Sequence, residues 1–227
     1  MKNVIAIDGP AGAGKSTVAR ILADKLNYKY LDTGAMYRAV TYQTLKKKIK
    51  INNKSEIIRI ARELDFKFLS PDHNGITRIL VHNKDITDKI RKPKINKYVS
   101  HIAKIKEVRE ALVEKQRKIA RQNNIILDGR DIGTRVIPEA EYKFYITASL
   151  KERAKRRFQE LNKNNKISLK KVENDLKNRD KIDKNREHSP LTRAEDAILI
   201  DTTNLSIEEV VNKIINIINS KDMKKDD

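Results

Sequence analysis

Gly9-Pro10-Ala11-Gly12-Ala13-Gly14-Lys15-Ser16 satisfies the pattern G-x-x-x-x-G-K-[ST], and Thr17 follows it. Glycines in such a run let the backbone turn its N–H groups inward around nucleotide phosphates. Lys15 adds a mobile positive charge for a group in transit, and the Ser16 hydroxyl is a ligand for Mg²⁺. The preceding apolar run Val4-Ile5-Ala6-Ile7 reads as a buried strand, while Val18, Ile21, Leu22 and Leu26 share one face of a following helix. A turn that only joins a strand to a helix has no need of a lysine and a hydroxyl in fixed order. Residues Gly9 to Thr17 therefore read as the seat of ATP or GTP with its Mg²⁺.

Where the phosphoryl group goes depends on the remaining residues. Arg38, Arg109, Arg130, Arg153, Arg156, Arg157, Arg179 and Arg186 lie near predicted loops. Arginines that converge clamp a phosphorylated second substrate, because the planar guanidinium makes bidentate contacts with phosphate. Taken singly, each is equally an exposed surface residue, and Arg156 has no neighbour that argues for more. Arg153 and Arg157 lie four apart on one helical face, which suits a phosphate clamp or an ordinary solvated helix. The guanine-reading run N-K-x-D of GTPases is not matched by His82-Asn83-Lys84-Asp85. A mechanical or nucleic-acid ATPase would need more chain.

Composition bounds the alternatives. The 227 residues include 50 Lys and Arg against 31 Asp and Glu, a formal charge of +19, which would also suit a basic nucleic-acid-binding P-loop protein. The basic residues are dispersed, as in Lys46-Lys47-Lys48 and Lys224-Lys225, without the interleaved aromatics of RNA binders. There is no cysteine, and the four histidines have no zinc spacing. No apolar run reaches membrane-spanning length and no leader precedes Val4, so a cytoplasmic monomer without a membrane or specific nucleic-acid partner is expected.

These groups need a scaffold. Tyr28 to Leu31 predicts a second strand, followed by helices from about Ala35 and Ser55. Phe66, Phe68, Ile79 and Val81 alternate around a turn at residues 70–75, giving a small antiparallel hairpin with Asp85-Ile86 as a third strand. One helix is expected from Pro93 to Gln122. Strands at Ile125–Asp128 and Tyr142–Ile146 follow, then helices at Ser149–Leu161 and Ser168–Arg179, a strand at Ala197–Asp201 and a helix capped by Ser206 and Glu209. The alternation implies a doubly wound parallel sheet, an α/β fold whose site lies beyond the carboxyl ends of the strands.

Asp32-Thr33-Gly34-Ala35-Met36-Tyr37-Arg38, Val108-Arg109-Glu110-Ala111-Leu112, Asp128-Gly129-Arg130-Asp131-Ile132-Gly133-Thr134 and Arg179 through Asp183 to Arg186 follow the phosphate loop in order. Together, over residues 3 to 218, they resemble bacterial cytidylate kinases. The resemblance implies a P-loop kinase fold that transfers the γ-phosphoryl of ATP to CMP or dCMP. It implies one domain over 1–220, with a core at about 1–63, 93–161 and 168–220, a monophosphate-binding insertion at 64–92, a short lid at 162–167 and a polar tail at 221–227. By the same resemblance Arg38, Arg130 and Arg186 hold the acceptor phosphate with Thr33, where many relatives have serine. Ser100, Arg109 and Asp131 correspond to the cytosine readers, and Arg179 and Asp183 to the sugar pair. Lys15, Arg130, Arg153 and Arg157 are the expected stabilisers of the transferring group, with Asp128 in the outer shell of Mg²⁺.

The base assignment is chemically coherent. Cytosine offers an amine donor and two acceptors, so a carboxylate such as Asp131 and a guanidinium such as Arg109 complement its edge. Uracil would set a carbonyl against the carboxylate and leave buried acceptors facing each other. A kinase for another monophosphate or small metabolite is the nearest alternative.

Overall fold

Short runs rich in Ile, Val and Leu, apolar on both sides, form the parallel strands, and runs of 3.6-residue period form the helices around them. The computed structural model describes residues 3–71, 77–162 and 167–223. In chain order the elements begin β1 (Val4–Asp8), α1 (Lys15–Lys25), β2 (Lys29–Asp32), α2 (Thr33–Lys46), α3 (Lys54–Glu63), β3 (Phe66–Pro71), β4 (Thr77–Val81) and β5 (Lys84–Asp85). They continue with α4 (Pro93–Ile102), α5 (Lys106–Arg121), β6 (Ile125–Asp128), β7 (Tyr142–Thr147), α6 (Leu150–Asn162), α7 (Leu169–Lys184), β8 (Ile198–Asp201) and α8 (Ile207–Met223).

Two compact units divide the chain, Met1–Tyr30 with Ala120–Asp227, and Leu31–Ile119. The first carries the main sheet, in the order β2-β6-β1-β7-β8. Its central strand β1 runs parallel to β6 and β7, placing Ile7 opposite Asp128 and Asp8 opposite Tyr145. Ile5, Ile7, Leu22, Ile126, Phe144 and Ile214 are among the side chains buried between sheet, α1 and α8. Each such side chain contributes about 1.5–3 kcal/mol by leaving water. A smaller cluster joins Ala11 of the phosphate loop to Ala154 of α6 and to Val172 and Leu176 of α7.

The second unit packs α2 against α3 and α4 and carries the three-stranded antiparallel sheet β3-β4-β5. The expected hairpin is present in β3 and β4; its turn at 72–76 lies outside the described residues, as do 163–166 of the expected lid.

Two expectations about helices are corrected. The single helix from Pro93 to Gln122 is two, parted at 103–105. No glycine or proline marks the break. There Ala103 and Ile105 are buried, and Arg109 donates from Nη1 to the Ala103 carbonyl (3.3 Å), satisfying an acceptor left free at the end of α4. The closing helix keeps its capping box, with Ser206 N–H donating to Glu209 Oε2 (2.8 Å), but runs to Met223, into the stretch expected as a polar tail from 221.

Candidate functional site

The phosphate loop leaves the end of β1 and enters α1 at Lys15. Gly9, Gly12 and Gly14 all have positive φ. At Gly9 the requirement is absolute, since a Cβ would lie 1.9 Å from the Ile146 carbonyl oxygen of the neighbouring strand. Pro10, Ala11 and Ala13 are buried, Thr17 is half-buried and Ser16 reaches the surface. Lys15 is 5% exposed and donates from Nζ to the Pro10 carbonyl (2.7 Å). Burial, followed by the Arg130 cation, pulls its pKa well below the usual lysine range, against the pull of Asp128.

Asp128 ends β6 beside this loop. Its Oδ2 accepts from Ser16 Oγ (2.6 Å) and its Oδ1 from Tyr30 Oη (3.0 Å). A hydroxyl and a carboxylate held this close are hard oxygen donors of the kind Mg²⁺ prefers, so the residues present fit that ion. Beyond Asp128 the chain presents Arg130, whose Nε donates to Asp183 Oδ2 of α7 (3.0 Å). Burial raises the Asp183 carboxyl, but Arg130, Arg179 and Arg186 outweigh it and hold the group below the usual range. Arg186 lies 3.8 Å from Asp131 Oδ1 and donates from Nε to the Ser189 carbonyl.

The first unit thus gathers Gly9 to Thr17, Asp128, Arg130, Asp131, Arg179, Asp183 and Arg186 around the ends of β1 and β6. Arg153 joins them differently from a free clamp: its Nη1 donates to the Ala11 carbonyl (2.9 Å) and to Asp180 Oδ2 (2.6 Å), and its Nε to the Ala148 carbonyl (3.0 Å). It braces the outside of the phosphate loop. Arg157 is paired instead with Glu160 (2.6 Å).

The second unit holds the other candidates. Asp32 caps α2, accepting from the Ala35 N–H (2.9 Å), and also pairs with Arg38 (2.5 Å). Thr33 is buried at the start of that helix, and Ser100 is buried on α4. Arg109 of α5 lies 5.1 Å above the Tyr37 ring of α2, a cation–π contact that orients a guanidinium.

Sequence reasoning missed several contributors. Asp8 accepts the Ile132 and Gly133 N–H groups, each at 2.8 Å; a carboxylate closing an otherwise apolar strand was its signal. Asp180 lies in a part of α7 that extends past the expected end. Arg156, for which the sequence offers no argument, donates to the Thr202 carbonyl (2.6 Å) and hydroxyl (3.0 Å) beside the end of the phosphate loop.

A glycine cradle with Lys and Ser, a carboxylate on the adjacent strand and a cluster of basic side chains on a parallel α/β sheet define a P-loop phosphotransferase. A family model described as cytidylate kinase matches residues 5–220, and the chain belongs to that family. A cytidylate kinase of Alkaliphilus oremlandii is 52% identical over 94% of this chain and 96% of its own. One of Clostridioides difficile is 52% identical over 95% and 98%. Among solved structures, an uncharacterised protein of Eubacterium ventriosum aligns at TM-score 0.56 and 14% identity, over 96% of this chain and 99% of that one, a likeness of fold.

Proposed function

We propose that this chain transfers the γ-phosphoryl group of ATP to CMP or dCMP, giving ADP and CDP or dCDP. The observation that carries the reading is the cluster in which Lys15, Arg130, Arg179 and Arg186 surround Asp128, Asp131 and Asp183 at the ends of β1 and β6. Four cations in a buried setting suit polyphosphate and an acceptor phosphate. A carboxylate among them suits an exocyclic amine.

In this reading Gly9 to Thr17 hold the ATP phosphates, whose negative charge favours the protonated form of Lys15. Mg²⁺, held by Ser16 with Asp128 behind it, supplies neutralisation of the phosphate oxygens when bound. The CMP phosphate is already ionised near neutral pH and attacks in line without a general base. Arg38, Arg130 and Arg186, with Thr33, position it; Ser100, Arg109 and Asp131 read the base; Arg179 and Asp183 take the sugar. Arg153 and Arg157 stabilise the charge in transit, Arg153 by exchanging its Asp180 contact for phosphate oxygen. The small-molecule substrates require no macromolecular partner, and the reading takes the enzyme as a cytoplasmic monomer.

An assay coupling ADP release to NADH oxidation, run with CMP, dCMP, UMP and AMP, tests this. CMP and dCMP are expected to exceed UMP and AMP by at least about a hundredfold in kcat/KM, the loss that follows from leaving two buried polar groups unpaired. Equal rates with CMP and UMP would refute the base-reading account, and no CMP-dependent ADP would refute the activity.

A further inference from the structure

The segment that follows Asp131 is not an ordinary loop. Ile132–Val136 forms a single π turn, with Asp131 at its head in an irregular conformation (φ −151°, ψ 28°). The Asp131 carbonyl accepts from the N–H groups of Arg135 (2.9 Å) and Val136 (3.0 Å). The other side of the same peptide, the Ile132 N–H, donates to Asp8 Oδ1, and the next N–H, of Gly133, donates to Asp8 Oδ2. The Asp131–Ile132 peptide plane is therefore fixed at both its oxygen and its hydrogen. A fixed plane sets ψ of Asp131 and, with it, the direction in which the Asp131 side chain leaves the backbone.

Asp8 is well placed to be the fixed end of this clamp. It closes β1, the middle strand of the five, and lies opposite Tyr145 of β7. It is 5% exposed. At Gly133 a Cβ would stand in ordinary contact with Asp8 Oδ2 at 3.6 Å and would press on the Lys143 side chain at 3.2 Å, so the turn lies directly against Asp8. Burial pushes the Asp8 carboxyl up to about 7 despite the two N–H donors, with Asp131 adding to the rise and Lys15 opposing it. A polar group kept in so unfavourable a place is doing something an apolar residue could not do.

Resting on the reading of Asp131 as a base-contacting residue, we infer that Asp8 is a positioning residue for nucleobase selection. It refers the Asp131 carboxylate to the central strand of the sheet, so that discrimination between cytosine and uracil depends on a side chain that touches neither. The same residue directly precedes Gly9, so one strand end positions both the start of the donor loop and the acceptor-reading turn.

The test uses the full-length chain with Asp8→Asn, which keeps one acceptor, and Asp8→Ala, which keeps none, beside Asp131→Ala as the scale for complete loss of the Asp131 contact. The measurements are kcat/KM for CMP and for UMP, KM for ATP, and amide hydrogen exchange at Ile132 and Gly133. Loss of one of the two hydrogen bonds is expected to lower the CMP to UMP ratio about tenfold in Asp8→Asn, and more in Asp8→Ala, with KM for ATP within about twofold. Exchange at 132 and 133 is expected to speed up in the same order. A ratio unchanged in both variants while Asp131→Ala abolishes it would overturn the inference. So would equal losses toward ATP and CMP at a constant ratio, the pattern of a merely structural residue. Should the unaltered chain phosphorylate CMP but Asp131→Ala retain full selectivity, the assignment of Asp131 itself fails, and the inference with it; unchanged exchange at 132 and 133 overturns the inference alone.

Discussion

Asp8→Asn is expected to remove a proton-linked contribution to stability that can be sized from the structure. Burial raises the Asp8 pKa from an ordinary 3.8 to about 7. That displacement of about three pH units, at about 1.36 kcal/mol each, corresponds to roughly 4 kcal/mol between the limits. Its sign follows from proton counting. Between pH 4 and 7 the folded chain keeps a proton that the unfolded chain has released, so this stabilisation is full below pH 3.8 and is lost as pH rises through about 7. Over an accessible window from about pH 5.5 to 7.5 the loss is about 2 kcal/mol, or roughly 4–8 °C in Tm for a chain of this size. The chain contains no tryptophan, so circular dichroism in urea is the suitable probe. The amide introduced by Asp8→Asn cannot titrate, and the difference in stability between the two proteins isolates the term from Asp183, whose lowered pKa acts in the opposite direction at acid pH. The stability of the unaltered chain relative to Asp8→Asn is expected to fall by about 2 kcal/mol across the window. A difference that stays constant within about 0.5 kcal/mol would refute the reasoning, since an ordinary carboxylate is already fully ionised there.

Two further changes probe the scaffold. Gly9→Ala drives a Cβ into the Ile146 carbonyl, which β7 cannot yield without breaking its ladder; loss of ATP binding by calorimetry is expected, and near-normal affinity would count against the cradle geometry. Asp183→Asn leaves Arg130 buried beside Arg179, Arg186 and Lys15 without its carboxylate, and about 3–5 kcal/mol of stability is expected to go, read from the urea midpoint.

The phosphate loop and the parallel strands were legible because both are local. Eight contiguous residues define the cradle, and each central strand is a short apolar run that only a buried sheet accommodates. The Ser206–Glu209 box was legible for the same reason. What escaped depends on distance in sequence. The parting of α4 from α5 carries no glycine or proline and is sustained by the Arg109 guanidinium reaching back to a carbonyl. The fixing of Ile132 and Gly133 by Asp8 spans more than a hundred positions, and Arg153 meets Ala11 across a similar gap. Periodicity has no access to such pairs. The family resemblance brought Arg38, Ser100 and Arg109 together with Arg130 and Asp131 in one assignment, whereas the chain distributes them over two units.

The pairing of Asp32 with Arg38 gives the second unit an internal competitor. Arg38 Nη2 meets the carboxylate, while Arg38 Nε is buried with no hydrogen-bond partner among the described residues. An anion seeking this guanidinium has to displace a tethered one whose effective concentration is set by the turn of a helix. A carboxylate metabolite or chloride offers little that Asp32 does not already provide. A phosphate dianion presents more charge and a fork of oxygens that can engage Nε as well. Under the proposed assignment of Arg38 to the acceptor phosphate, the pair would work as a threshold, leaving the arginine insensitive to the abundant weak anions of a cell and responsive to a phosphate ester.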